Sequence, residues 1–370
     1  MKKIFIQILI VIVGFLIIDF LFGNLFFINH FKSIVYEKND QFLYNFKKNL
    51  DIKNYNYGSK NYKLCTNNLG AIDDCKKENI ITKNIDYVFI GDSFVEGLGV
   101  QFDKTFFGLL KNKYPKFQFL NLGVSGYSSS IYYNKLKFFY DNGYNFSEIY
   151  IFLDTSDIFD EIYRYKSDSN DQISHYLTNN QINNLLDDKK KLLKDIYNKF
   201  PGTFFLIGLL INALPNLSFL ENYYYDLMIN HSFSGWQYEQ NKIFSKDNVT
   251  NSLKKNSNYV KKIIKLANEN NSKINFVLYP WPGHLHKMKV NNKYNKFWTN
   301  FLENKDINLI NLNSHFFKLL EKNDSKKIIF KYYIKGDVHF NIQGHKYIFE
   351  IINNNLKTII EYGILLLKDS

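Results

Sequence analysis

The sequence predicts an open, doubly wound α/β domain: a parallel sheet with helices on both faces. Three observations predict it. From residue 86 onward, short apolar runs (87–90, 117–121, 148–153, 274–279 and 307–311) alternate with longer amphipathic stretches (103–113, 129–142, 251–270, 294–304 and 314–322). That alternation of strand and helix patterns is the mark of βαβ units. The first run, Asp86 to Ile90, ends in Gly91-Asp92-Ser93 and is followed by further glycines. Polar residues at the carboxyl end of a buried strand sit where open α/β sheets place their sites. Finally, a long helix is expected over about 342–361, with Ile342, Tyr347, Ile348, Ile351, Ile352, Leu356, Ile359 and Ile360 on one apolar stripe.

The amino terminus comes first. Lys2 and Lys3 precede an apolar run from Ile4 to Gly23 in which Asp19, near the far end, is the only charge. The run has the length needed to span a bilayer core, and leading lysines imply a cytoplasmic amino terminus. No small-residue cleavage site follows it. The preferred reading is an uncleaved anchor over residues 1–24, with Asp19 reaching headgroups and the remaining chain outside the cytoplasm. A cleaved signal peptide ranks second, a buried core helix third. Residues 25–85, polar and rich in Asn, Lys and Tyr, read as a stalk and lead-in.

The main domain is expected over 86–365, interrupted by a helical insertion at 160–245. The insertion carries a charged helical stretch at 182–199 and an apolar run at 204–214. That run is too short to span a membrane comfortably. It reads as a lid, as an interfacial helix, or as ordinary core packing.

The chain has 370 residues and a net charge of +12. Arg164 is its only arginine; the other cations are scattered lysines. A nucleic-acid partner is not expected, because phosphate and guanine recognition favours arginine forks. Cys65 and Cys75 lie close in sequence and form a disulfide candidate in an oxidising compartment; two unrelated thiols are the alternative. Two cysteines without nearby histidines predict no metal site, and no cofactor is expected.

Far downstream of Ser93, Asp337-Val-His339 supplies an acid and a base two residues apart. A serine hydroxyl needs such a base, and the base needs an acceptor to fix its tautomer. Taken alone, Asp-x-His reads as a surface loop; with Ser93 it reads as catalytic machinery. His345 lies in the following helix pattern, where capping or packing is expected.

Together these motifs resemble the SGNH, or GDSL-type, hydrolase family. Gly91-Asp92-Ser93 resembles its first block, and Asn121-Leu-Gly123-Val-Ser-Gly126-Tyr127 its second. Leu153-Asp-Thr-Ser156-Asp157 stands at the third, and Asp337-Val-His339 at the last. The resemblance implies a flavodoxin-like fold and an ester hydrolase that works through Ser93, His339 and Asp337. It also implies an oxyanion hole from the Ser93 and Gly126 N–H groups and a third donor. Ser156 stands where the family has asparagine, and a rotating hydroxyl is a less fixed donor than an amide. Tyr279-Pro-Trp281-Pro-Gly-His284 adds substrate-binding candidates: Trp281 as a surface for a sugar ring and His284 in the cleft. Similar features occur in membrane-anchored, extracytoplasmic members associated with bacterial surface polysaccharides. The expected substrate is therefore an acylated cell-envelope carbohydrate. An O-acyltransferase, or a catalytically weak glycan-binding or assembly protein, is the alternative.

Overall fold

The computed structural model describes residues 2–22, 35–57, 60–75, 81–178, 181–182, 199–200, 202–203, 206, 218–237, 243–287, 292–303 and 307–368. The apolar run at 204–214 and the charged stretch at 182–199 fall almost wholly outside these residues. The chain divides into two units, residues 1–37 with 177–221, and residues 38–176 with 222–370.

In the first unit, α1 (Lys2–Phe22) is one continuous helix. Its segment Lys3–Leu21 has a mean hydropathy of 2.9, long and apolar enough to cross a membrane. Ile4, Phe5, Val11 and Ile18 are all more than half exposed. Asp19 does not reach outward as expected. It is buried and accepts hydrogen bonds from the Gly202 and Thr203 N–H groups and the Thr203 hydroxyl, each at 2.7 Å. A lone charge in an apolar helix needs such partners.

From Tyr36 into the second unit, where it is described (35–57, 60–75 and 81–85; the rest of that stretch lies outside the described residues), the chain does not run as the expected polar stalk. It forms β1 (Tyr36–Asn39) and β2 (Leu43–Phe46), paired as a two-stranded ribbon, and then the antiparallel pair β3 (Asp51–Tyr57) and β4 (Lys60–Cys65). The physical reason is a set of apolar anchors: Phe42, Phe46, Tyr62 and Leu64 are buried. Cys65 at the end of β4 is joined to Cys75 by a disulfide.

The central sheet contains β5 (Asn84–Ile90), β6 (Phe119–Asn121), β7 (Asn145–Leu153), β10 (Lys273–Leu278) and β11 (Asn308–Asn311). All four pairings are parallel, in the order β11-β10-β7-β5-β6. Numbered within the sheet, this is the flavodoxin-like order 2-1-3-4-5, read from the β6 edge. A small antiparallel pair, β8 (Tyr165–Ser167) and β9 (Ile173–His175), lies outside it. Val88, Phe89, Ile90 and Ile149 through Leu153 are almost fully buried. Such continuous burial is what a sheet covered on both faces requires. Phe89 of β5 stacks on Tyr150 of β7, with ring centroids 4.7 Å apart.

The flanking helices fall into two packed groups. The first is α3 (Phe106–Lys113) with the long α12 (Ile342–Lys368). The second is α4 (Ser129–Asp141), α5 (Asp157–Tyr163) and α7 (Lys246–Glu269). Helix α5 begins ahead of the segment expected as an insertion and runs into it, and the β8–β9 pair and α6 (Ser218–Ile229) lie within it. The short helix α8 (Pro282–Lys287) follows β10, then α9 (Lys293–Leu302), α10 (Leu312–Leu320) and α11 (Ser325–Tyr332).

Candidate active site

The site forms where β5, β7 and β10 end side by side, with Phe89 and Ile90 level with Tyr150 and Ile151, and Leu278 level with Leu153. After Ile90 the chain turns into α2 (Ser93–Glu96), a single helical turn. Asp92 caps it by accepting the Phe94 N–H at 3.0 Å. Ser93 is its first residue, so its N–H has no helical acceptor and is left for the site.

The second loop, after β6, carries Gly126 at φ +80°. Three side chains hold this turn. Glu96 Oε2 accepts the Ser125 N–H at 2.6 Å and the Ser125 hydroxyl at 2.5 Å. The Tyr44 hydroxyl donates to the Ser125 carbonyl at 2.7 Å, and the Tyr165 hydroxyl donates to the Gly126 carbonyl at 2.5 Å. Among the described residues, no acceptor takes the Gly126 N–H.

The third loop precedes α12. The Asp337 N–H closes a tight turn onto the Ile334 carbonyl at 3.0 Å, with Gly336 inside it at φ +79°. That left-handed position favours glycine. Asp337 Oδ1 then accepts the His339 N–H at 2.9 Å, an Asx turn that sets the spacing of the pair. The same Oδ1 lies 2.5 Å from His339 Nδ1, and His339 Nε2 lies 2.7 Å from Ser93 Oγ. With Nδ1–H donating to Asp337, Nε2 is left to accept the Ser93 proton. Asp92 Oδ2, at 3.3 Å, is a longer alternative acceptor for that hydroxyl.

The electrostatics follow from burial and neighbours. Burial works against a charged His339, but Asp337, then Asp92 and Glu96, outweigh it and raise the imidazole pKa. Burial likewise opposes the Asp337 charge, yet His339 and the Tyr57 hydroxyl hold this carboxyl well below the usual range. Burial pushes Glu96 up to about 7 against the hydrogen bonds from Ser125. Its second oxygen, Oε1, is buried and meets no donor among the described residues. Asp92 is raised by burial and by nearby Asp154.

Several residues chosen from sequence stand elsewhere than expected. Trp281 is no open platform for a sugar. It is 3% exposed, its Nε1 donates to Asp154 Oδ2 at 2.7 Å, and its ring packs near Phe94 and His231. His284 is fully buried between the Trp281 N–H, 3.2 Å from Nδ1, and Gln237 Nε2, 2.5 Å from Nε2. Burial drops its pKa to about 3. Both brace the loop after β7; neither presents itself to a ligand. Ser156 is 6% exposed, and its N–H donates to Asp154 Oδ1 at 2.6 Å. That N–H is therefore not free for an oxyanion. The aspartate at position 154 supplies that competing acceptor. Trp236 and Gln237 also secure this loop, bonding the Thr155 carbonyl at 2.9 Å and hydroxyl at 2.7 Å. His345 accepts the Phe106 N–H at 3.3 Å and stacks on its ring, a capping and packing role.

Three site residues have no counterpart in the sequence reading. Tyr57 donates to Asp337 Oδ2 at 2.8 Å from the far end of β3. Nothing in its Asn- and Tyr-rich surroundings marks it. Glu96 was findable: it shares one helical turn with Ser93. Arg164 lies beside Gly126, and its signal was being the only arginine.

No protein-family model matches the chain, and no curated protein does. Solved structures similar to it include a member of the lipolytic protein G-D-S-L family from Veillonella parvula. It is 10% identical, covers 73% of this chain and 97% of its own, and has a TM-score of 0.40. An acetyl xylan esterase, AlAXEase, is 11% identical with 73% and 99% covered and a TM-score of 0.41. The acetylxylan esterase Axe2 from Geobacillus stearothermophilus is 12% identical with 73% and 94% covered and a TM-score of 0.37.

Proposed function

We propose that the protein is a serine esterase that removes O-acyl groups from a cell-envelope carbohydrate. One observation carries the reading: Ser93 Oγ, His339 and Asp337 form a continuous hydrogen-bonded relay of 2.7 and 2.5 Å at the carboxyl edge of the sheet. Ser93 Oγ attacks the ester carbonyl while His339 Nε2 takes its proton. The Ser93 and Gly126 N–H groups receive the oxyanion. The acyl C–O bond breaks as the imidazolium gives its proton to the departing sugar oxygen, releasing the sugar hydroxyl and leaving an acyl-enzyme. Water, deprotonated by His339, attacks the acyl carbon, and the returned proton restores Ser93 as the carboxylic acid leaves.

The apolar α1, the leading lysines and the Cys65–Cys75 disulfide support an anchor in the bacterial inner membrane with the site on its periplasmic side. If a sugar hydroxyl replaces water in the second step, the same relay gives an O-acyltransferase. Serine in place of asparagine at position 156, with its N–H taken by Asp154, favours a second reading, a weakly catalytic glycan-binding protein, because the third oxyanion donor is then a less fixed hydroxyl. A lost donor costs about 2.7–4 kcal/mol.

The test is to treat the full chain in detergent with a fluorophosphonate and with p-nitrophenyl acetate. The esterase reading expects labelling and turnover that vanish in Ser93→Ala. A folded wild type that neither labels nor turns over overturns it.

A further inference from the structure

The sequence keeps one arginine among many lysines, and the fold brings it to the Gly126 turn. A Cβ on Gly126 would lie 2.9 Å from Arg164 Nη1 and 3.1 Å from the Tyr44 hydroxyl. The guanidinium carbon lies over two aromatic rings, 5.1 Å from the Phe233 centroid and 6.0 Å from that of Phe159. Cation–π contacts of this kind hold the guanidinium in place beside the turn and its tyrosines. Its ionic partner, Asp160, meets it at Nε, 3.0 Å away, and that carboxylate is itself buried. The Tyr44 and Tyr165 hydroxyls, 3.5 Å apart, spend their protons on the Ser125 and Gly126 carbonyls. The Arg164 side chain keeps 23% of its surface open, and Ser125 and Gly126 beside it are also partly exposed.

An ion pair made only to neutralise Asp160 needs neither the aromatic bed nor the position against the turn. A lysine would also serve, as Lys255 does for Glu161 at 2.7 Å. Burial pushes the Asp160 carboxyl up against the pull of Arg164. Two parallel N–H donors on a planar group are suited to a carboxylate or phosphate.

We propose that Arg164, set against Gly126 and bedded on Phe159 and Phe233, is an anion-binding subsite that holds a carboxylate or phosphate substituent of the substrate beside Ser93. The esterified carbohydrate is thus an acidic one. This rests on the esterase reading for the role of Ser93 but not for the binding itself.

The experiment measures how D-glucuronate, D-glucose 6-phosphate and D-glucose protect Ser93 of the full chain from the fluorophosphonate. In wild type, one or both acidic sugars protect at about tenfold lower concentration than glucose, and the better of the two identifies carboxylate or phosphate. That preference collapses in Arg164→Gln, and Arg164→Lys retains part of it. Equal protection by all three sugars in wild type overturns the proposal, as does an acid preference that survives in Arg164→Gln. If Ser93 does not label at all, the esterase reading fails. The same sugars are then read by the shift in Tm: stabilisation of wild type by an acidic sugar, lost in Arg164→Gln, supports the subsite, and its absence in wild type overturns it.

Discussion

Replacing Tyr57 with phenylalanine removes one hydroxyl and nothing else from the relay. That hydroxyl donates to Asp337 Oδ2 at 2.8 Å and lies 3.3 Å from His339 Nδ1. A hydrogen bond to a charged group is worth about 1.5–3 kcal/mol, or roughly 10- to 150-fold in rate if all of it is expressed in the transition state. The Asp337 side chain is 26% exposed, so water can take over part of the bond. The lower end therefore applies, about tenfold. The pH dependence has a definite sign. Without its phenolic donor, Asp337 becomes a stronger acceptor for the imidazolium, and the His339 pKa rises further. Because His339 acts as a base only when neutral, the acidic limb of kcat/KM moves to higher pH in Tyr57→Phe. The assay is the second-order rate of fluorophosphonate labelling of Ser93 across the pH range, with p-nitrophenyl acetate turnover beside it. Identical rates and identical limbs in variant and wild type would show that Tyr57 does not act on the relay.

In Asp337→Asn, labelling should fall on the order of 10⁴-fold, the scale known for serine-protease triads. Its remaining acidic limb should lie at lower pH, since the main group raising the His339 pKa is gone; a limb that stays in place contradicts the assignment. The raised His339 pKa also stabilises the folded chain below the ordinary histidine pKa of about 6.5, and this contribution fades as pH rises through the folded value. Thermal melts of His339→Gln against wild type should therefore differ more at pH 5.5 than at pH 8.5. Glu96→Gln keeps the shape but loses the charge that holds Ser125; a roughly tenfold slower labelling is expected, with one fewer ionisation in the profile near pH 7. An unchanged profile would remove Glu96 from the site. Reducing the Cys65–Cys75 bond opens a loop with a separation of 10 residues. Loop-closure entropy sets its worth at about 3 kcal/mol, to be read as a lower Tm in reductant.

Much of the main sheet was legible because its strands are buried on both faces and bounded by clear helices. The apolar runs at 87–90 and 148–153 can satisfy burial in no other way, and each expected strand lies within two or three residues of its observed limits. Residues 36–65 were not legible. Their strands are short and largely polar, and Phe42, Phe46 and Leu64 find a hydrophobic surface only once the sheet and its helices exist. The same reason hid Tyr57, whose role is defined by an aspartate 280 positions away. Trp281 and His284 misled in the opposite direction: aromatic and basic residues after a strand read as a binding surface. Here the indole Nε1–H is consumed by a buried carboxylate, Asp154, and the imidazole by Gln237 and the Trp281 N–H.

The sequence alone determined the type of fold, the apolar amino-terminal helix and the identities of Ser93, Asp337 and His339. Those features depend on local pattern: alternation of strands and helices, a run long enough for a bilayer, and residues whose chemistry is unusual at fixed spacing. Only the tertiary structure decided which side chains support them. Glu96 and Tyr44 fix the Gly126 turn, Tyr57 backs Asp337, Asp154 takes the Ser156 N–H, and Arg164 stands against the turn. Each of those pairings joins segments far apart in the chain or depends on which face of a turn a side chain takes. Geometry of that kind is set by the packing of the sheet and its loops.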